Sequence, residues 1–520
     1  MPKFIPYDPG QSRMVVVNYA DQLQPGTFEH AIHFLIENKL DLSIFDPSFN
    51  NDETGRPAYN PAILLKIILF AYSKGITSSR EIQWSCETNV IFKALSCDSV
   101  PHFTTIANFV SGYSDEIESI FEQVLLICDE QGLLGKELFA LDGCKMSSNA
   151  SKEWSGTFKE LKQKRDKIQR QIRHHITEHK RFDKNNSRED ERRQRSEKAI
   201  ETLTKAHKKI DDFLKSESPR MGKGKIKKEV KSNITDNESA KMTTSKGTIQ
   251  GYNGIATVDK KHQIIVDAQA FGEGQEQHTL QPVLNSVRER FKRLGIKLND
   301  PIITADTGYA NEANMKYLHD NKINGYIPDN KFRQRDPKFA EQKSNHSRRK
   351  PITGKSKATP SVIPSSEFAF DPVNKTCICP ANETMWLRSE HVDRLGHEKI
   401  FFEGRLTKCR TCKLKMRCMH NPDSANHRKG HGRQVSFIIN KGQRAANFTD
   451  WMKHRVDSAK GKLIYSHRMS VVEPVFGNIG TNKRLNRFSL RGKKKVQGQW
   501  QLYCLIQNIE KLKNYGKLVT

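Results

Sequence analysis

Long apolar runs are missing from this 520-residue sequence. A helix that crosses a bilayer needs roughly 20 consecutive apolar residues, and the longest stretch, residues 62–72, is interrupted by Lys66. No membrane partner is therefore expected. The opening Met1-Pro2-Lys3-Phe4-Ile5-Pro6 lacks the architecture of a secretory signal. A cytoplasmic, nucleoid-associated location in a bacterial or archaeal cell is expected. The ten cysteines then read as thiols or metal ligands rather than disulfides. Acids are also scarce: 59 Asp and Glu against 87 Lys and Arg leave a formal charge of +28. Such a surplus favours a polyanion, because each neutralised phosphate releases counterions. An RNA-binding module with interleaved aromatics is not recognisable, so DNA is the favoured partner. No long-period repeat is found, which argues against a repeat architecture.

The length fits two to four folding units. Residues 1–130 read as helical. Asn60-Pro61 opens one helix, with Asn as N-cap and Pro at the first helical position. Ser78 and Glu81 have capping-box spacing and open another, bearing Ile82, Val90, Ile91, Phe92 and Leu95. Thr104 is placed to cap a third through Ile106, Phe109 and Val110. Short helices of this kind suit either a helix-turn-helix DNA reader or an ordinary bundle. Residues 138–142 read as a buried strand ending in an acid. Helical apolar spacing among Lys, Arg, Gln and His over residues 158–214, broken by a polar gap at 183–190, reads as an inserted basic hairpin. A loop is expected over 215–247. Strands follow at 252–258 and 263–271, a helix through Leu280 and Leu294, a strand at 302–306, a helix near 311–321 and a short strand around Tyr326. Residues 330–365 read as flexible, 367–440 as a cysteine-bearing insert, and the remainder as helical and basic from Lys483 onward.

Two motifs, Leu141-Asp142-Gly143 and Ala305-Asp306-Thr307-Gly308-Tyr309, each deliver an aspartate at the carboxyl end of an apolar strand. Active sites of open α/β sheets gather there. The element order fits a ribonuclease-H-like sheet, whose first and fourth strands are neighbours, so Asp142 and Asp306 would lie side by side. A third acid, Glu473, flanks the helical face made by Val472, Val475, Phe476 and Ile479. Pro474 follows it, and a residue before proline avoids helical geometry. Glu473 is therefore expected at a helix start or beside a kink. Asp259 and Asp267 are rival acids, assigned to a hairpin turn and to an exposed strand position. Three acids suit two Mg²⁺ or Mn²⁺ ions about 3.5–4 Å apart, acting on phosphodiesters.

Cys409-Arg-Thr-Cys412 is a C-x-x-C. With Cys379 and Cys418 it offers four thiolates for one structural Zn²⁺, with Cys377 and His420 as alternative ligands. Reduced cysteines packed in a small β-rich insert are the other reading. Cys86, Cys97, Cys128, Cys144 and Cys504 are scattered and read as structural.

Residues 60–72, 139–149, 235–259 (with Gly251-Tyr252-Asn253), 304–309 and 468–477 resemble the DDE-type transposases of bacterial insertion sequences. The resemblance implies an α/β chain with an all-α N-terminal DNA-binding domain (1–130). A ribonuclease-H-like catalytic core (131–329) would carry the basic hairpin. The flexible segment and small cysteine-bearing β-rich insertion (330–440) and closing core helices (441–520) would follow. It places the catalytic triad on Asp142, Asp306 and Glu473, and a DNA-contacting arginine on Arg468. Related families carry a basic residue one or two turns after the glutamate; Gly480 stands there, so Lys483 or Arg484 would take that role. The implied activity is metal-dependent cleavage at element ends and strand transfer into target DNA. Terminal inverted repeats and target DNA would be the partners, with a homodimer or larger assembly. A nuclease of the same fold that does not join ends is a second reading. A non-catalytic, sequence-specific DNA-binding protein is the alternative from another class.

Overall fold

A computed structural model describes residues 16–49, 57–184, 190–223, 227–245, 247–339, 362–392, 397–440 and 447–517, with the side chains of 181–184 and 190–193 excepted. Most of the segment expected to be flexible (340–361) and the centre of the polar gap (185–189) lie outside the described residues. The chain forms two compact units, Met1–Phe332 with Met452–Thr520, and Arg333–Trp451.

The first unit opens with α1 (Phe28–Asn38), α2 (Pro61–Ser73), α3 (Ser79–Thr88), α4 (Val90–Ser96), α5 (Phe103–Gly112) and α6 (Ser114–Glu130). Helix α2 starts as its sequence dictates: the Asn60 side chain accepts the Ala62 N–H at 2.8 Å and Pro61 takes the first position. The helix expected from Ser78 through Leu95 is instead two. Asn89 is extended, and its side-chain oxygen accepts the Ile91 and Phe92 N–H groups, so a strong N-cap restarts the chain as α4. Ser78 makes no side-chain cap. Helix α5 is capped by His102, which accepts the Thr104 N–H at 3.4 Å, rather than by Thr104.

The sheet of this unit contains β1 (Leu138–Ser147), β2 (Ala240–Thr244), β3 (Gly247–Asp259), β4 (Ile265–Phe271), β5 (Ile302–Ala305) and β6 (Gly325–Tyr326). Strand β1 is central, antiparallel to β3 and parallel to β5, which in turn pairs in parallel with β6. Strands β2 and β4 share the outer edge of β3. The loop expected over 215–247 therefore contains β2, as well as the short strand Ser232–Asn233 paired with Ser155–Gly156. Between β1 and β2 the hairpin of α7 (Phe158–Lys184) and α8 (Asp190–Ser216) closes on its own core of Phe158, Leu161, Ile168, Ile210 and Phe213. Helices α9 (Leu280–Arg293), α10 (Glu312–Asp320), α11 (Ala459–Gly477) and α12 (Lys493–Tyr515) complete the unit.

Helix α12 joins the sheet to the N-terminal helices. It packs on β4 on one side and on α1, α2, α5 and α6 on others, with the Tyr72 and Tyr503 rings stacked at 4.8 Å. Strand β4 is an edge whose free backbone groups need partners. Gln497 accepts the Ala270 N–H at 2.6 Å and donates to the Ala268 carbonyl at 2.7 Å. Asn508, about three turns on, accepts the Ile265 N–H and donates to its carbonyl, both at 2.8 Å. Two helix amides thus close the edge that another chain could otherwise extend.

Asp267 is not at an exposed position. It is 1 % exposed, accepts the Ser286 hydroxyl at 2.9 Å and pairs with the fully buried Arg290. Arg290 also reaches Glu118 at 2.8 Å and Glu122 at 3.1 Å, so the acid belongs to a buried network tying β4, α9 and α6. Asp259 serves its hairpin turn through the Lys261 N–H at 2.8 Å. It also holds the entry to β1 through the N–H groups of Gly135 and Lys136.

The second unit is an antiparallel sheet in the order β7 (Ala369–Asp371), β8 (Thr376–Ile378), β9 (Thr384–Val392), β10 (Glu398–Glu403) and β11 (Gln434–Asn440). Its core is small: Ile363, Phe368, Cys377, Met385, Ile400, Phe402 and Val435 are the buried residues at its centre.

Candidate active site

Leu141 on β1 lies opposite Ala305 on β5, in parallel register. The next residue in each segment is an aspartate. Asp306 directly follows β5, whereas Asp142 lies midway along β1, which does not end at the acid as expected but stays paired with β3 as far as Ser147. The two residues are thus neighbours across the β1–β5 pair. Asp142 accepts the Gly143 N–H at 2.9 Å. Its other oxygen pairs with Arg468 of α11 at 2.8 Å. Burial pushes the Asp142 carboxyl up to about 6; Arg468 and the Gly143 N–H pull it down, while Asp306 and Glu473 add to the rise. Asp306 caps the short turn Thr307–Tyr309 by accepting the Thr307 N–H at 2.6 Å.

Glu473 is neither at a helix start nor beside a break. It lies in the fourth turn of the 19-residue α11, exposed, with Pro474 inside the helix. Tertiary packing overrides the pre-proline preference: Val471, Val472 and Val475 are buried, and α11 packs across β1, β3, β5 and β6. The same packing carries Arg468 over Asp142. Arg468 is held protonated, because Asp142, Tyr465, Asp306 and Glu473 outweigh the burial that opposes its charge. One guanidinium thus shares a field with all three acids.

Among the described residues, a trio of potential ligands lying within 4.8 Å of one another is His174, His175 and Glu178 on α7; the three acids and the four thiols are spaced more widely. That spacing bears on a single ion. With two ions about 3.5–4 Å apart and oxygens about 2.0–2.1 Å from each, the outer ligands can stand about 8 Å apart. The donor set is all carboxylate oxygen, the chemistry that hard divalent cations take. Burial is the main cause of the raised Asp142 carboxyl, and Asp306 and Glu473 add to it less; a bound divalent cation would favour the ionised form against both.

Two further charged residues flank Asp306 without having been singled out in the sequence. A side chain at Gly308 would place its first carbon 2.4 Å from a Glu276 carboxylate oxygen. Glu276 in turn faces Lys145 of β1 at 3.4 Å. The glycine of the Asp-Thr-Gly motif is thus set by the close approach of Glu276, and that glycine was the available signal. Gly251 is fixed in the same way: a side chain there would meet the Met146 carbonyl at 2.0 Å.

The expected DNA-binding lysine is elsewhere. Lys483 is fully buried and its ammonium pairs with Glu510 at 2.7 Å, so it is not available to a phosphate. The π-helical turn Asn478–Asn482 that ends α11 delivers it inward, beneath α12. Arg484 is exposed, with its stem over Gly75. The basic loop that follows lies along the end of β1: the Phe488 N–H donates to Ser147 at 2.8 Å. Arg487 and Arg491 are exposed there and hold Asn149 at 3.1 and 2.6 Å.

In the second unit, Cys379, Cys409, Cys412 and Cys418 line one cavity of about 490 Å³. Cys377 is buried in the core against the Met385 sulfur at 3.8 Å, and His420 is exposed and outside the cavity lining. Neither alternative ligand belongs to this group. Of the scattered cysteines, Cys86, Cys128 and Cys504 are buried, whereas Cys97 is exposed.

No curated protein matches the chain. Residues 17–112, covering α1 to α5, match the family described as Transposase domain (DUF772). Residues 378–513 match the family described as Transposase DDE domain, a span that holds Arg468 and Glu473 but neither Asp142 nor Asp306. Helical N-terminal region, β-containing C-terminal region and these two matches together are consistent with a DDE-type insertion-sequence transposase.

Proposed function

We propose that the chain is a metal-dependent DNA transposase whose catalytic acids are Asp142, Asp306 and Glu473. One observation carries the reading: the parallel neighbours β1 and β5 carry Asp142 and Asp306 at adjacent positions, midway along β1 and just past the end of β5, beneath a helix that brings both Arg468 and Glu473. The antiparallel β4-β3-β1 run followed by parallel β5 and β6 supports a ribonuclease-H-like core.

Asp142, Asp306 and Glu473 would together hold two divalent ions, Mg²⁺ or Mn²⁺. When bound, such ions activate an attacking oxygen and stabilise the leaving one. Arg468 favours the ionised form of Asp142 against burial and retains a buried Nε–H without a partner, a donor suited to a phosphate oxygen. Arg487 and Arg491 offer the loop on which a DNA backbone can lie. In cleavage, a water oxygen bonds to phosphorus at the element end as the bond to the 3′ oxygen breaks, and that oxygen leaves as a hydroxyl. In strand transfer, this hydroxyl bonds to a target phosphorus while the target's own 3′ oxygen leaves. One phosphodiester replaces another, so no external energy source is required. Both ends must be processed together, which favours a dimer on DNA.

The experiment is nicking and strand transfer on a terminal-repeat duplex, with and without divalent metal. Asp142→Ala, Asp306→Asn and Glu473→Gln should each abolish both steps; metal-dependent activity surviving in any of them refutes the assignment of that acid. Pre-cut ends separate a transposase, which joins them, from a nuclease, which does not.

A further inference from the structure

Proline at position 474 creates a specific deficit in α11. It has no N–H, so the carbonyl one turn earlier, that of Ser470, loses its helical donor. The deficit falls beside Glu473. A donor arrives from a different element: Gln263, at the β3–β4 turn, places its amide nitrogen 3.0 Å from the Ser470 oxygen. The other end of the same amide accepts the Lys511 ammonium of α12 at 2.9 Å. These partners fix which way the amide points, since a carbonyl can only accept and an ammonium can only donate. Gln263 also sits at φ 60°, in the left-handed region that non-glycine residues rarely occupy. The turn is held there by its neighbours, among them the His262 ring, 4.7 Å from that of Tyr515 on α12.

We infer that Gln263 is a positioning residue for Glu473: it replaces the hydrogen bond that Pro474 removes and ties the glutamate's turn of α11 to the sheet hairpin and to α12. Its catalytic consequence rests on the reading of Glu473 given above; its structural consequence does not. The tie is a single hydrogen bond at a partly exposed site, so its effect is graded rather than absolute. Loss of the donor frees the Ser470 carbonyl and lets the turn that carries Glu473 shift relative to Asp142 and Asp306.

The test is a cycle between Gln263 and Pro474 in the full chain. Gln263→Glu is close in shape, keeps an acceptor for Lys511, and presents an oxygen to the Ser470 carbonyl where a donor was. Gln263→Leu removes both. Each should slow metal-dependent nicking by about three- to tenfold, the rate equivalent of one hydrogen bond, and raise the Mn²⁺ concentration giving half-maximal rate. Pro474→Ala restores a helical N–H for Ser470, so in that background Gln263→Glu should have no further effect on rate or Mn²⁺ dependence. Amide hydrogen exchange over residues 471–479 supplies a readout independent of catalysis. It should quicken in Gln263→Leu and return to the Pro474→Ala value in the double variant. Equal effects of Gln263→Glu with and without Pro474, or unchanged exchange in Gln263→Leu, overturn the inference. An inactive parent chain with the exchange pattern intact overturns the catalytic reading of Glu473 and leaves the tie standing.

Discussion

Arg468 and Asp142 meet at 2.8 Å, although one belongs to a helix and the other to a strand more than 300 residues earlier. The pair opposes the effect of burial on the Asp142 carboxyl. Burial lifts the Asp142 carboxyl to about 6, and Arg468 is the largest influence pulling the other way. Nicking requires the carboxylate, so its rate at fixed, limiting Mn²⁺ should climb as pH rises through about 6 and fall away below it. Because metal competes with the proton, raising Mn²⁺ should move that acid limb to lower pH. Arg468→Gln should move it to higher pH and slow nicking by about 10²-fold, as for loss of a charged group at a reacting centre. An acid limb insensitive to both metal and Arg468 contradicts this reading.

Gly308→Ala should place a methyl group against the Glu276 carboxylate. Overpacking of this kind costs about 1–3 kcal/mol, and here it acts two residues from Asp306. Nicking should fall about tenfold, consistent with a displacement worth ~1.4 kcal/mol. Shortening the obstructing side chain with Glu276→Ala in the same molecule should recover part of the loss. No recovery means that the glycine is required for another reason.

Lys483 and the loop arginines should separate in a salt titration of DNA binding. Lys483→Ala leaves the Glu510 carboxylate without its cation, with the Asn478 amide still donating to it at 2.9 Å, and should lower stability by about 1–3 kcal/mol, while the slope of log affinity against log salt stays as it was. Arg487→Ala and Arg491→Ala should each make that slope shallower by about one. A shallower slope for Lys483→Ala, with unfolding unaffected, would restore it as a DNA contact.

A single zinc ion in the second unit requires its four thiols to draw closer than they stand, because a tetrahedral ion with Zn–S of about 2.3 Å holds its sulfurs about 3.8 Å apart. One ion per chain is the outcome to test, in a unit whose core is small. Cobalt substitution should give the strong visible bands of a tetrahedral thiolate site. Serine at Cys379, Cys409, Cys412 or Cys418 should weaken metal retention, whereas Cys377→Ser should lower stability and keep the metal. A metal-free protein of unchanged stability after mild chelation contradicts the site.

Much of the fold was legible because local signals and tertiary packing agree. Asn60-Pro61 caps α2 in the way its chemistry requires, and the apolar runs leading into Asp142 and Asp306 pair in parallel as expected, although β1 continues past its acid to Ser147. Legibility failed where packing decides. The valines of α11 hold Glu473 in a helix that the pre-proline rule alone disfavours. A π turn swings Lys483 under α12, and an arginine on α9 draws Asp267 inward. Glu276 was invisible because nothing in its own neighbourhood marks it; only the bare Cα of Gly308 across the site does.

The sharing of metal by three distant acids is tested most directly by anomalous diffraction from Mn²⁺ in crystals of the chain bound to a pre-cleaved terminal-repeat end. Two peaks about 3.5–4 Å apart are expected, held together by Asp142, Asp306 and Glu473. Manganese bound without Asp142, or an arrangement that leaves Glu473 out of reach of either ion, contradicts the proposed site.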